Sequence, residues 1–366
     1  MIFNSVQWFN THTLIFMGLS LIINGLVAYA WNKKLYEKLG LKTYQALQRI
    51  HLNEVPRLGG LIFITSLIAY VIYNKPSEDI LLLKLIVLCL TPILIIGFKE
   101  DIFHNVDPAI RLLAIFFAGW LFRANFAGPL PNISNIPFLG KFILLQGGVS
   151  AFFILSMAVI ANGMNLIDGV NGLCGLVALT ILGALLFLSY TTADIVMLSL
   201  IFSLMLLLIP FMIINYPKGL IFLGDLGAYS LGLIISMLTI IFFGRHPEVS
   251  PWAAVLILIY PVTEVIFSLL RRAFNGVSIF KPDTAHLHLK VYNFLEHELS
   301  YKKIANPLVT LTLSWLWIFP LLALTWTYHK PLFIWITIIL FMIFYGALYI
   351  IVPNVQQNLA RNKKIT

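Results

Sequence analysis

Long apolar stretches alternate with short polar ones along almost the whole chain. A helix needs about 20 mainly apolar residues to cross a bilayer. On that measure the pattern predicts eleven spans: roughly 12–31, 59–74, 79–98, 109–125, 147–163, 173–190, 194–214, 226–244, 251–270, 306–328 and 332–353. The second and fifth are short. Inside lipid every backbone N–H and C=O must pair within its own segment, so the stretches read as helices. They are too continuous for the alternating pattern of a membrane β-barrel. The expected fold is all-α and polytopic. No internal repeat or linker divides it, so residues 1–366 read as one membrane-embedded domain.

Composition agrees. The chain is 60% hydrophobic and 11% charged, with a mean hydropathy of +0.93. Soluble domains carry about 25% charged residues. The N-terminus lacks a basic segment and a small-residue cleavage site, so it reads as a first span that stays in place. Cys89 and Cys174 fall in different spans and at different depths, so they read as packing residues and not as a disulfide.

Charge orients the spans. The loops after spans one, three, five, seven and nine, with the C-terminal tail, hold 18 of the 24 Lys and Arg residues. The positive-inside rule then puts the N-terminus outside and the C-terminus in the cytoplasm. The net charge of +9 is accounted for by this asymmetry and by attraction to anionic lipid or phosphate. The basic residues are spread over several loops, which argues against nucleic acid as a partner.

Five inward-facing segments carry the chemistry. The first ends in NEVPRLGG, where Arg57 suits a phosphate or serves only as a positive-inside charge. The second, GFKEDIFHNVDP, sets Glu100 and Asp101 side by side near a helix C-terminus, where the dipole disfavours acids. Adjacent carboxylates raise each other's pKa, which suits a proton acceptor or a shared cation. The third, NGMNLIDGVNGL, spaces Asn162, Asn165 and Asp168 three apart, on one face if helical. Its glycines allow backbone to approach a ligand closely. The fourth, FLGDLG, puts Asp225 at the mouth of a span, as a helix cap or as a metal ligand. The fifth, RRAFNGVSIFKPDTAHLHLK, gathers Arg271, Arg272, His286, His288 and Lys290. Two His at a spacing of two, with no thiolate near, fit phosphate better than zinc. Asp283 in this segment reads as the N-cap of a short helix. Ionisable residues within the spans are few, chiefly Lys84 and Glu264.

The order of these motifs resembles the polyprenyl-phosphate N-acetylhexosamine-1-phosphate transferases, glycosyltransferase family 4. That family also includes the phospho-MurNAc-pentapeptide translocases. The likeness covers nearly the whole chain, and NGMNLIDGVNGL and FLGDLG are its most specific parts. It implies transfer of HexNAc-1-phosphate from a UDP-N-acetylhexosamine to undecaprenyl phosphate, releasing UMP, as the initiating step of an O-antigen-like surface polysaccharide. It implies Mg²⁺, with Mn²⁺ as a substitute, and an active site on the cytoplasmic face of the bacterial inner membrane. A homodimer is compatible with it. By resemblance, Glu100 and Asp101 match the family's acid pair, which handles the lipid phosphate. Asn162, Asn165 and Asp168 match its Asn/Asp tract, Asp225 its Mg²⁺ ligand, and His286 and His288 its histidine motif on the sugar nucleotide. Two positions depart from the pattern. Glu100 stands where Asp is usual, and Leu289 where a further His is common, so that Lys290 would supply the missing donor. Two rival readings stand beside this one. A transporter or flippase of a lipid-linked sugar would need polar residues through the membrane, and few are present. A non-catalytic relative that binds the lipid carrier would release no UMP.

Overall fold

The computed structural model describes residues 11–33, 55–133, 147–276, 285–299 and 302–362. Among these residues the fold is entirely helical. In chain order the helices are α1 (Thr11–Asn32), α2 (Gly59–Tyr73), α3 (Glu78–Phe103), α4 (Pro108–Asn125), α5 (Gly148–Ile167), α6 (Leu173–Thr191), α7 (Ile195–Asn215) and α8 (Gly224–Arg245). They continue as α9 (Trp252–Ile257), α10 (Ile259–Phe274), α11 (Leu287–Leu299), α12 (Lys302–Leu313), α13 (Trp315–Thr327) and α14 (Pro331–Asn362).

Each of the eleven expected stretches is helical, and eight helical segments are long and apolar enough to cross a membrane. Those eight are α1, α3, α5, α6, α7, α8, the stretch from α12 through α13, and the apolar part of α14. The structure is thus that of a polytopic membrane protein. The α2 helix has only 15 residues. The stretch expected at 251–270 is broken between α9 and α10 at Leu258. Pro261 explains the break: it has no N–H to give to Ile257, the last residue of α9. A second break falls at Ser314, whose hydroxyl bonds the Leu311 carbonyl in competition with the helix ladder.

The centre of the bundle is α8. Nearly every residue from Gly224 to Phe243 is buried, and α2, α3, α4, α5 and α6 all pack on it. Small residues make this possible. Without apolar driving force between helices in lipid, close backbone approach supplies the packing. A Cβ on Gly227 would fall 2.6 Å from the Gly60 Cα of α2, and one on Gly232 would fall 2.5 Å from the Ala161 Cα of α5. By contrast, α1, α13 and α14 expose large apolar side chains such as Leu26, Trp326 and Ile343, the surface that lipid would cover. Cys89 and Cys174 are buried and free.

Candidate active site

One end of α8 gathers four of the sequence motifs. The segment before α2 clasps the segment before α8: Phe222 N–H donates to the Pro56 carbonyl at 2.8 Å, and Gly59 and Gly60 donate to the carbonyls of Phe222 and Leu223 at 2.9 Å. Arg57 lies inside that clasp. Its guanidinium donates to Asp225 Oδ1 at 2.6 Å, and its Nε stands 3.5 Å from Asp101.

Asp101 comes from the last turn of α3. One oxygen accepts the Asp225 N–H at 2.8 Å, and the other accepts the Leu226 N–H at 3.0 Å. A carboxylate on free N–H groups at a helix start is favoured by hydrogen bonding and by the dipole. The capping role open to Asp225 in the sequence is therefore taken by Asp101, from another helix. Gly224, at φ 79, is required beside it, since a Cβ there would meet Asp101 Oδ2 at 2.5 Å.

Asp225 itself points into the cluster. Its second oxygen accepts from Arg111 at 2.6 Å, and Asn165 also donates to it. Arg111 belongs to α4, which starts with Asp107 as its cap, bonding the Ala109 N–H at 2.7 Å, and Pro108 in the first position. This start sets Arg111 in the first turn of α4, where it also approaches Glu100 at 3.7 Å. Glu100 bonds the Val106 N–H at 2.8 Å through its other oxygen, closing the turn after α3. Asp168 follows α5 and accepts the Gly224 N–H. Burial pushes its carboxyl up to about 7, with Arg57 opposing and Asp225 adding to the rise.

The turn after Asp168 is held by amides. Asn215 accepts from the Gly172 N–H at 2.7 Å and donates to the Ile221 carbonyl at 2.7 Å. Asn171 donates to the Pro217 carbonyl at 2.9 Å, and its own N–H donates to Asn306 at 2.8 Å. These bonds tie NGMNLIDGVNGL to the loop before α8.

The histidine motif approaches from the other side. His286 and His288 are buried with stacked rings, centroids 5.7 Å apart. A Cβ on Gly169 would sit 2.8 Å from His288 Nε2, so this ring abuts the residue after Asp168. Burial pushes the His288 imidazole down to about 4, against the pull of Glu264.

The structure thus brings together Arg57, Glu100, Asp101, Asn165, Asp168 and Asp225, with His286 and His288 beside them. Other expected positions differ. Asn162 lies in α5 and turns its amide back to the Ala158 carbonyl at 2.8 Å, so the tract is half helix and not one loop. Arg271 donates to Tyr349 and to the Ala285 carbonyl at 2.6 and 2.9 Å, and Lys290 lies over the Tyr349 ring. Both anchor the histidine segment to α14. Arg272 lies in the last turn of α10. The Asp283 cap falls outside the described residues. Arg111 joins the site unexpectedly. In the sequence it reads only as one of the 18 positive-inside charges, and its partner lies 114 residues away.

The donor set fits a hard cation. Four carboxyl groups face two guanidiniums, which leaves acceptor oxygens in excess of the cationic partners. Among the described residues no group of three or more His, Cys, Asp or Glu forms a ready cage. Magnesium seldom needs one, because it takes one or two carboxylates and completes its shell with phosphate oxygens and water.

Comparison with known proteins finds similarity to the family that the motifs resemble. Residues 83–243 match the family model described as glycosyl transferase family 4. A probable undecaprenyl-phosphate N-acetylglucosaminyl 1-phosphate transferase of Bacillus subtilis is 25% identical, covering 73% of this chain and 74% of its own. An undecaprenyl-phosphate alpha-N-acetylglucosaminyl 1-phosphate transferase of Yersinia pestis is 25% identical over 70% of each chain. A phospho-N-acetylmuramoyl-pentapeptide-transferase of Streptococcus gordonii is 24% identical, covering 77% of this chain and 90% of its own.

Proposed function

Taking the match of residues 83–243 to glycosyl transferase family 4 as the premise, we propose that this protein transfers HexNAc-1-phosphate from a UDP-N-acetylhexosamine to undecaprenyl phosphate. UMP is released, and the product begins a surface polysaccharide of O-antigen type. The site faces the cytoplasm from the bacterial inner membrane. The observation that carries the reading is Asp225 held between Arg57 and Arg111, at the meeting point of four motif segments.

In this reading a lipid phosphate oxygen attacks the phosphorus that bears the sugar. The P–O bond to UMP breaks, and UMP leaves with the electron pair. Such transfers are governed by positioning and charge neutralisation. Arg57 and Arg111 supply planar cationic donors suited to phosphate oxygens. When bound, Mg²⁺ (or Mn²⁺) would be held by Asp225 and would neutralise charge on the diphosphate. A phosphate monoester has a second pKa near ~6, so the attacking oxygen is already ionised at neutral pH. Asp101 has both oxygens on backbone N–H groups, which supports positioning of the α8 start over proton removal. Asn165 orients Asp225, and His286 and His288 face the sugar nucleotide.

The test uses membranes containing the protein, radiolabelled UDP-GlcNAc and related donors, and undecaprenyl phosphate. A lipid-linked product that vanishes with EDTA and returns with Mg²⁺ is expected. Absence of a lipid product with every donor would overturn the reading.

A further inference from the structure

Glu264 is a carboxylate only 1% exposed, in the first half of α10. A buried carboxylate costs several kcal/mol unless it is paired, and in a membrane bundle an ionisable residue needs a partner. Its neighbours identify one. Glu264 Oε2 stands 3.4 Å from His286 Nδ1, and the hydroxyls of Tyr260 and of Tyr345 on α14 face the same carboxylate.

From His286 the contact continues. His286 stacks on His288, and His288 abuts Gly169, next to Asp168. The α10 and α5 backbones also meet closely, because a Cβ on Gly163 would fall 2.5 Å from the Pro261 carbonyl. Glu264 therefore lies at the rear of a row that ends at the acid cluster. None of the roles assigned above uses it.

We infer that Glu264 is a positioning residue for the sugar-nucleotide half of the site: its carboxylate holds His286 through Nδ1 and so sets the imidazole pair against the Asp168 turn. A carboxylate on one ring nitrogen fixes the tautomer and orientation, and it stabilises positive charge on the ring when an anionic ligand arrives. This rests on the reading that the histidines face the UDP-sugar. Glu264 touches neither substrate in this account. Its effect is confined to the diphosphate end, because in this reading the lipid phosphate is met by Arg57.

The experiment compares purified wild type with Glu264→Gln, which keeps size and hydrogen bonding but loses the charge. UDP binding is read by calorimetry, and steady-state kinetics are read for both substrates. Expected in Glu264→Gln are a tenfold weaker UDP affinity (about 1.4 kcal/mol) and a matching rise in KM for the UDP-sugar. KM for undecaprenyl phosphate stays within twofold, and Glu264→Asp recovers part of the loss. In a His286→Gln background the Glu264 change adds nothing further. Unchanged UDP affinity in folded Glu264→Gln overturns the inference, as does an equal rise in both KM values. If Glu264→Gln does not fold, His286→Gln alone must show the same donor-side loss, and wild-type UDP affinity in it overturns the inference too. A wild type that binds UDP but makes no lipid product sinks the proposed reaction instead, while the binding comparison still decides Glu264.

Discussion

The same two helices carry an ionic cluster at each end, and the two clusters differ in kind. At one end of the α3–α8 pair, Asp101 and Asp225 meet Arg57, Arg111, Glu100 and Asp168. At the other end, Arg245 donates to Asp194 at 2.8 Å and to Glu78 at 2.6 Å, while His246 stands 2.9 Å from Asp194 and 2.8 Å from Glu248. The second cluster closes on itself. Each of its acids has a cationic or imidazole partner, and Glu78 and Glu248 have side chains more than half exposed. It is a staple joining the ends of α3, α7 and α8. The first cluster has more carboxylates than guanidiniums, deep burial and glycine backbone on its wall. Its carboxyl groups also tie the α8 start and the turn after α3, and the function proposed above gives their excess over guanidiniums a ligand to meet.

The sharpest way to break that contrast is substitution. Asp225→Asn is expected to lower turnover by about a thousandfold, the scale lost when a preorganised charge contact is removed. Arg245→Gln at the other end is expected to leave turnover within threefold. If both losses are alike, the two ends do not differ in the way argued.

Next in size is Arg111. Arg111→Lys keeps the charge but not the planar fork, and about a hundredfold loss in kcat/KM is expected, in line with losing a charge-assisted contact worth about 1.5–3 kcal/mol. Unchanged kinetics would mean that Arg111 serves only to counterbalance Asp225.

Arg111 also shows where sequence reading stopped. The helices were legible because apolar runs of bilayer length leave one solution for the backbone. The acid pair, the Asn/Asp tract and Asp225 were legible because acids, amides and glycines are conspicuous in such a chain. Arg111 was not, because an inward-facing arginine is what membrane topology alone requires, and only the fold reveals that Asp225 is its partner. Asn162 lies one turn before Asn165 on α5, as the three-residue spacing expects, with its amide on the Ala158 carbonyl. The breaks at Leu258 and Ser314 lie in stretches whose hydropathy is unbroken, so a composition window passes over them. Arg271 and Lys290 looked like free cations for phosphate until α14 supplied Tyr349.

A smaller difference lies in pH. Asp168 is raised to about 7, so between its unfolded value of 3.8 and about 7 the folded chain holds a proton that the unfolded chain has lost. Stability from this group is complete below that window and falls as pH rises through it. Asp194 behaves oppositely. Burial alone would raise it, but bonds from His246, Met197 N–H and Arg245 outweigh burial and hold it below 3.8. Its contribution is present above 3.8 and is lost as pH falls through its folded value. Thermal unfolding in detergent, without added cation, should show Asp168→Asn flattening the decline toward pH 7 and Asp194→Asn flattening the decline in acid. Exchange of these two signatures would contradict the assignment.

The smallest effect expected is the staple's own worth. Arg245→Gln should lower stability by about 1–3 kcal/mol, as for loss of hydrogen bonds to a charged group, seen as a lower unfolding temperature with full activity at 25 °C.

The most direct test of the central claim is UMP release by purified wild type, Asp225→Asn and Arg245→Gln, measured side by side with UDP-GlcNAc and undecaprenyl phosphate. The account predicts release by wild type and Arg245→Gln and almost none by Asp225→Asn. Release by Asp225→Asn at the wild-type rate would contradict it.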